Sequence, residues 1–342
     1  MHELLNVLYV QSQGTVLHLD HDALRVEMEG LPPRRLPLLR LSGIVVFGRV
    51  TVTPFLIERC AEDGRSLVWL DQRGRFRARV EGQTRGNVLL RRAQHLALSD
   101  REHRERIARQ IVAGKIQNSR QVLMRAVRET DGAEATYLGE AALELAMVLE
   151  RLRETRNLDV LRGMEGESAR TYFGVFGYMV RADRDVFTPA GRTRRPPRDR
   201  INAVLSFLYT LIRFECGSAL EGAGLDPQVG YLHALRPGRP ALALDLMEEL
   251  RPILADRLAL TLVNRRQLKP EHFETTPGGG VLLNEEGRKN VLVAYQRRKE
   301  EEVHHRVLDQ KLPVGLVPHI QARLLARHLR GELREYPPFL YR

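Results

Sequence analysis

The chain has 342 residues, enough for two hydrophobic cores, and its 43% hydrophobic and 28% charged content excludes disordered and collagen-like classes. Lysine and arginine outnumber aspartate and glutamate by 54 to 43, for a formal net charge of +11; that balance fits a polyanionic partner or simply an arginine-rich genome, and charge alone does not separate the two. No run approaches the ~20 uninterrupted apolar residues of a membrane span, MHELLNVLYV lacks a basic leader segment, and Cys60 and Cys216 cannot build a disulfide framework or a CxxC zinc site, so the expectation is a cytoplasmic protein with no membrane segment and two ordinary buried or half-buried thiols.

From Leu5 to about Gly82, short apolar runs (VLYV, TVLHL, GIVVFG, SLVWLD) alternate with Gly, Pro or Asp breaks at strand-length spacing, which predicts a compact β-rich domain. Within it, TPFLIERCAEDG has helical periodicity and a glycine stop at Gly64. After Gly86 the apolar recurrence changes to 3.6 residues, beginning with NVLLRRAQHLALSDREHRERIARQIVAGKIQNSRQVLMRAV. The fold class is therefore α+β: a small N-terminal β-rich domain, residues 1–84, followed by a larger all-α domain, residues 85–342.

The first helices of the second domain carry Arg91, Arg92, Arg101, Arg104, Arg106, Arg109, Lys115 and Arg120, a basic face that either is simply solvated or tracks a DNA backbone. In RADRDVFTPAGRTRRPPRDR, Pro189, Pro196 and Pro197 deny a helix, and Arg192, Arg194, Arg195, Arg198 and Arg200 concentrate charge in a loop expected to contact DNA phosphates. KPEHFETTPGGGVLLNEEGRKN suggests a small hairpin. The segment from Val291 to about Arg334 returns to helix, before a proline-stiffened tail, YPPFLYR.

Three places hold side chains suited to a divalent metal: Glu165 in RGMEGESAR, His233 in GYLHALRPGRP, and the helix ALALDLMEELRP. On that helix Asp245, Glu248 and Glu249 stand at i, i+3 and i+4 and are expected to share one strongly negative face. Such a face either wets an amphipathic helix or awaits a cation, since close buried carboxylates repel one another. Asp245 lies within the apolar run LALDLM, and the helix follows an imidazole after a short Gly/Pro turn. Taken singly, His233 reads equally as a hydrogen-bonded structural residue, and Glu165 as a residue favouring the positive end of a helix.

Together these strings resemble the CRISPR-associated endonuclease/integrase family of spacer acquisition, the Cas-one family, over nearly the whole chain. The resemblance is carried by IVVFGRVTVTPFLIERCAEDGRSLVWLDQRGRF, KIQNSRQVL, LRGMEGESARTYF, INAVLSFLYTLI, VGYLHALRPGRPALALDLMEELRP, LVNRRQLKPEHF, GRKNVLVAYQRRKEEEVHH and ARHLRGELREYPPFL, in that order. It implies a β-domain used for dimerisation, a helical catalytic domain, and a homodimer that pairs with a second CRISPR adaptation protein. It also implies that Glu165, His233 and Glu248 are catalytic metal ligands, with Asp245 as an auxiliary or supporting group. Arg170, Asn202 and Tyr209 would line the site: Arg170 supporting Glu165 or a phosphate, Asn202 hydrogen-bonding nearby backbone, and Tyr209 packing in the core.

The activity so implied is Mg²⁺- or Mn²⁺-dependent strand transfer. A 3′-hydroxyl of a double-stranded spacer precursor attacks a phosphodiester at the CRISPR repeat, and cleavage follows when water replaces the hydroxyl. Two other classes compete: a non-catalytic DNA-binding scaffold, which would tolerate loss of Glu165, and a DNA-repair nuclease, which would cleave without joining.

Overall fold

A computed structural model of the chain describes residues 6–72, 76–80, 82, 88–189 and 191–341. It divides into two compact units, Met1–Arg85 with Leu283–Leu292, and Gly86–Leu282 with Val293–Arg342. The expected boundary between residues 84 and 85 lies outside the described residues. The short segment Leu283–Leu292 groups with the first unit, whereas the sequence placed it in the second.

The first unit is β-rich, as the alternating apolar runs require. Strands β1 (Asn6–Val10), β2 (Val16–Asp20), β3 (Ala23–Met28), β4 (Leu31–Pro37), β5 (Leu41–Phe47) and β6 (Thr51–Val52) precede helix α1 (Pro54–Asp63), and β7 (Ser66–Leu70) and β8 (Phe76–Arg79) follow it. They form two four-stranded sheets, ordered β4-β3-β2-β6 and β1-β5-β7-β8. The second sheet is parallel through β1, β5 and β7, and β8 closes it antiparallel. Leu17, Leu24, Ile44, Val46 and Leu67 fill the core, and α1 adds Leu56 and Cys60, one turn apart on its buried face. The helix stops at Gly64, whose φ of 68° is costly for residues with a Cβ.

The second unit is mainly helical. The long periodic segment breaks at Asp100 into α2 (Val88–Ser99) and α3 (Arg101–Arg128), because the Asp100 carboxylate accepts from the His103 amide at 3.1 Å and caps the second helix. Next come α4 (Gly132–Glu154), α5 (Leu158–Gly174), α6 (Arg184–Phe187), α7 (Arg200–Gly222), α8 (Ala241–Glu248) and α9 (Arg257–Asn264). A π-helical turn, Pro252–Asp256, separates α8 from α9. By length and composition α7 could cross a membrane, with a mean hydropathy of 1.3 over its most apolar stretch; here 61% of that stretch is buried, and α7 packs against α8.

Two details differ from the sequence reading, and one expected feature is found. The single turn α6 forms ahead of Pro189, inside the stretch taken as irregular. The hairpin expected around the glycines is present as β9 (Phe273–Thr275) and β10 (Val281–Leu283), and α10 (Glu285–Glu300) follows. The return to helix is then interrupted by an unforeseen hairpin, β11 (Glu302–His305) with β12 (Gln310–Pro313), before α11 (Val317–Leu329). EVHH and QKLP are too polar to read as strands, yet Val303 and His305 face inward and their neighbours outward. Cys60 and Cys216 are free and buried, and burial pushes the Cys60 thiol up to about 11.

Candidate active site

Three helices of the helical unit meet at Lys115. This residue occupies an apolar-stripe position on α3, between Val112 and Ser119, so its stem is drawn inward and it is 8% exposed, not part of the solvated basic face. Its ammonium pairs with Glu165 Oε1 from α5, and with Glu248 Oε2 from α8 at 2.7 Å. The neighbouring Gly114 makes this approach possible. A Cβ there would lie 2.8 Å from Pro338 and 3.2 Å from Glu249 Cβ, so the helix crosses α8 and the C-terminal tail without room for a side chain.

Arg251 closes the other side of Glu248, with Nη1 2.8 Å from Oε1, while His233 Nε2 faces the same oxygen at 3.7 Å. Burial alone opposes ionisation of Glu248, but the positive charges of Arg251 and Lys115 hold its carboxyl at about 2. Lys115 thus marks the place of a cation between two carboxylates.

His233 is aimed by Asp245. One oxygen of Asp245 accepts from the His233 amide at 2.9 Å and lies 2.7 Å from His233 Nδ1; the other accepts from the amides of Tyr231 and Leu232 at 2.6 and 3.0 Å. A ring nitrogen beside a carboxylate carries a proton, so Nδ1 donates to Asp245 and Nε2 is the nitrogen turned toward Glu248. With four donors converging on it, Asp245 serves the loop and the imidazole. The loop reaches α8 because Gly230 passes Ala241 so closely that a Cβ would stand 2.6 Å from the Ala241 carbonyl carbon.

The acidic trio of the α8 segment therefore does not share one face of use. Asp245 turns to the 231–233 loop, Glu248 to Lys115, and Glu249 to the tail. There Glu249 accepts from the Tyr336 hydroxyl at 2.5 Å, the Phe339 amide at 2.6 Å and Gln321 at 3.2 Å.

Beside Lys115 lies a cavity of about 20 Å³, lined in part by Ser168, Tyr172, Arg194, Tyr209 and Arg251. Tyr209 is stacked under two guanidinium groups, Arg251 at 4.9 Å and Arg192 at 5.2 Å from its ring, and donates its hydroxyl to Asp256 at 2.7 Å. Burial pushes the Asp256 carboxyl up to about 6 even though Tyr209 and the nearby arginines favour its ionised form.

The five loop arginines are not one surface cluster. Arg192 turns inward, stacks on Tyr209 and donates to Asn202 Oδ1 at 2.6 Å, and its burial lowers the guanidinium from its ordinary value. Arg200 reaches the Val186 carbonyl at 3.5 Å, while Arg194, Arg195 and Arg198 are exposed, Arg198 also donating to the Gly278 carbonyl. Asn202 is the organiser of this loop: Asp199 caps α7 through the Asn202 amide at 2.8 Å, and the Asn202 side chain bonds Gly191 O and Asp199. Arg170 is exposed on α5.

Glu165, His233 and Glu248 thus come together, with Asp245 behind His233 and Tyr209 behind Arg251. Sequence reasoning missed Lys115 and Arg251 as members of the site. The available signals were a lysine at an apolar-stripe position and an arginine three residues after a buried glutamate.

As the side chains stand, no three His, Cys, Asp or Glu groups among the described residues are gathered tightly enough to hold a metal. The donor chemistry nevertheless fits one: two carboxylates already converge on a single cation, and an imidazole turns its Nε2 toward them.

Comparison with known proteins matches residues 8–297 to the family described as CRISPR associated protein Cas1. A CRISPR-associated endonuclease Cas1 of Moorella thermoacetica is 57% identical over 343 residues, covering 100% of both chains. Among solved structures, a Cas1 protein from Thermotoga maritima superposes with a TM-score of 0.82 at 26% identity, over 95% of this chain and 97% of that one. A chain of a Cas6-RT-Cas1–Cas2 complex shares the fold with a TM-score of 0.81 at 24% identity, over 99% of this chain and 36% of that one. A helical unit that brings Glu165, His233 and Glu248 together, a β-rich unit ahead of it in sequence, and a family match along most of the sequence together make this chain a member of the Cas1 family of CRISPR-associated endonucleases.

Proposed function

We propose that the chain joins DNA ends by divalent-metal-dependent strand transfer, a spacer-precursor 3′-hydroxyl attacking a phosphodiester at the CRISPR repeat, forming one P–O bond as another breaks and releasing the 3′-hydroxyl of the attacked strand. The observation that carries this reading is the convergence of Glu165 and Glu248, from two helices, on one cation, with His233 Nε2 turned toward the same carboxylate. Glu165, His233 and Glu248 would hold Mg²⁺ or Mn²⁺, which when bound supplies Lewis-acid neutralisation of charge on the phosphoryl oxygens.

The chain's own residues do the rest. Asp245 holds the His233 ring in the tautomer that leaves Nε2 free. Lys115 and Arg251 keep Glu248 ionised and are placed to meet an anionic phosphate. Arg194, at the rim of the cavity beside Lys115, offers a further cation to the backbone. Arg195 and Arg198 extend that basic edge outward, binding phosphate without reading sequence.

The remaining roles follow from the family. The β-rich unit serves homodimerisation, and the homodimer joins a second CRISPR adaptation protein, an expectation supported by the fold relative that is part of a Cas1–Cas2 complex. The decisive experiment is transfer of a labelled 3′-hydroxyl duplex into a supercoiled repeat-bearing plasmid with Mn²⁺ or Mg²⁺ and the partner protein, wild type against His233→Ala. Joined product that disappears in the variant while DNA binding persists supports strand transfer; equal joining refutes the site, and cleavage without joining favours a repair nuclease.

A further inference from the structure

Further along α3 from Lys115 lies a second cleft, of about 350 Å³, walled by the last turns of α3, the segment after Met179, and α9. Among the described residues four guanidinium groups line it, those of Arg125, Arg181, Arg257 and Arg265, against the single carboxylate of Glu129. Glu129 is already divided between two of them, accepting from Arg125 Nε at 2.8 Å and from Arg181.

Among the described residues no carboxylate offsets the charge of Arg257. Its guanidinium stacks over the Tyr341 ring at 4.8 Å, and its Nη1 is shielded from solvent with no hydrogen-bond partner. Burial lowers it from its ordinary value, and Arg298 and Arg125 lower it further against the opposing effect of Tyr341. Concentrating cations in a concave site is unfavourable unless an anion enters it. The wall is also fixed: the Arg181 amide donates to Asn264 at 2.8 Å, and Asn264 donates to Met179 O at 2.9 Å, tying the Arg181 backbone to α9.

The same two elements that form the active site continue into this cleft. From Lys115 to Arg125 is about 15 Å at the helical rise, and the path from Glu248 through the π turn to Arg257 runs beside it. At roughly 3.4 Å of rise per nucleotide on one strand, that separation corresponds to about four or five phosphates.

We propose that this cleft binds a backbone phosphate of the DNA strand whose end reacts at the Glu165–His233–Glu248 centre, about four or five phosphates from that end at the same rise, and so sets the strand's register. The inference rests on the strand-transfer reading. It identifies phosphodiester, not base, as the ligand, since the cleft offers a fork of guanidinium groups and no carboxylate left unshared.

The test is equilibrium binding of a 3′-hydroxyl duplex to the full chain in EDTA, measured by fluorescence anisotropy across a salt series, for wild type and the Arg181→Ala/Arg265→Ala double variant. Both residues are exposed, and a Lys/Lys double variant controls for folding by keeping the charge. The slope of log affinity against log salt should flatten by about one for each arginine that contacts phosphate, and the Lys/Lys variant should restore it. Duplexes carrying one neutral methylphosphonate at successive positions then locate the contact: a substitution near the fourth or fifth phosphate should weaken wild-type binding several-fold and leave the Ala/Ala variant unaffected.

An unchanged salt slope, or a methylphosphonate profile identical in both proteins, overturns the proposal. Because no metal is present, this outcome is independent of joining. A protein that binds through the cleft but never joins ends would sink only the strand-transfer reading; loss of joining in His233→Ala with a silent cleft would sink only this one.

Discussion

Glu248 and Glu249 are adjacent, chemically identical and almost wholly buried, at 1% and 0% exposure, yet they are held in opposite electrostatic conditions. Around Glu248 stand Lys115, Arg251 and His233, and its carboxyl is held at about 2 in spite of burial. Around Glu249 stand neutral donors, Tyr336, the Phe339 amide and Gln321; burial dominates, and its carboxyl is pushed up to about 7. Burial therefore says little about the charge of a side chain until the charge of its partners is known. One residue is set up to meet a cation, and its neighbour clasps the tail.

The strongest way to break this contrast is Glu248→Gln. It should lower the joining rate at least about a hundredfold, the scale on which an electrostatic contact to the transition state counts, with DNA binding retained; a rate within threefold of wild type would remove Glu248 from the site. Asp245→Ala comes next. It frees the 231–233 loop and the His233 ring, so the Mn²⁺ concentration giving half-maximal joining should rise about 10- to 100-fold, and an unchanged requirement would mean that His233 is not aimed by Asp245.

Asp256 sharpens the comparison as an intermediate case, facing a tyrosine hydroxyl with arginines nearby. Its carboxyl is raised from 3.8 to about 6, so the folded state holds its proton more tightly than the unfolded chain does. The stability it contributes is fully present below about pH 4 and is lost as pH rises through about 6. In urea titrations with EDTA, the stability of Asp256→Asn relative to wild type should therefore improve between those limits, by up to about 3 kcal/mol; a flat difference would show that Asp256 does not titrate there.

The smallest effect is expected from Glu249→Gln. The amide keeps an acceptor for the Phe339 amide while the Tyr336 hydroxyl turns to accept, so joining should stay within threefold and stability within about 1 kcal/mol. A collapse of activity on the scale of Glu248→Gln would erase the distinction between the two glutamates.

Much of the fold was legible because periodicity records which side of an element is buried. Thr53, Pro54 and Gly64 bracket α1, and the change of period after Gly86 marks the passage from strands to helices. The hairpin β11–β12 was not legible, since its two strands carry histidines, glutamate, glutamine and lysine, and only Val303, His305 and Leu312 face inward. At the site, Glu165, His233 and Glu248 could be named from sequence through the family resemblance, but their electrostatics could not. The cation between the carboxylates is Lys115, 50 residues from Glu165, and nothing local to either residue announces the pair. Likewise Arg192 read as one of five loop cations, and only the Tyr209 ring and Asn202, on the following helix, explain why it turns inward.

The π turn at Pro252–Asp256 carries a consequence for the phase of everything after it. A widened turn accommodates one residue more than an α-helical path would, and each residue advances an α-helix by about 100°. Removing a single residue from Pro252–Asp256 would leave α8 and Glu248 in place but swing α9 by nearly a third of a rotation, carrying Arg257 and Asn264 off the side they now line. The turn thus works as a spacer in angle as well as length, keeping a carboxylate before it and an arginine after it in step along one strand's path.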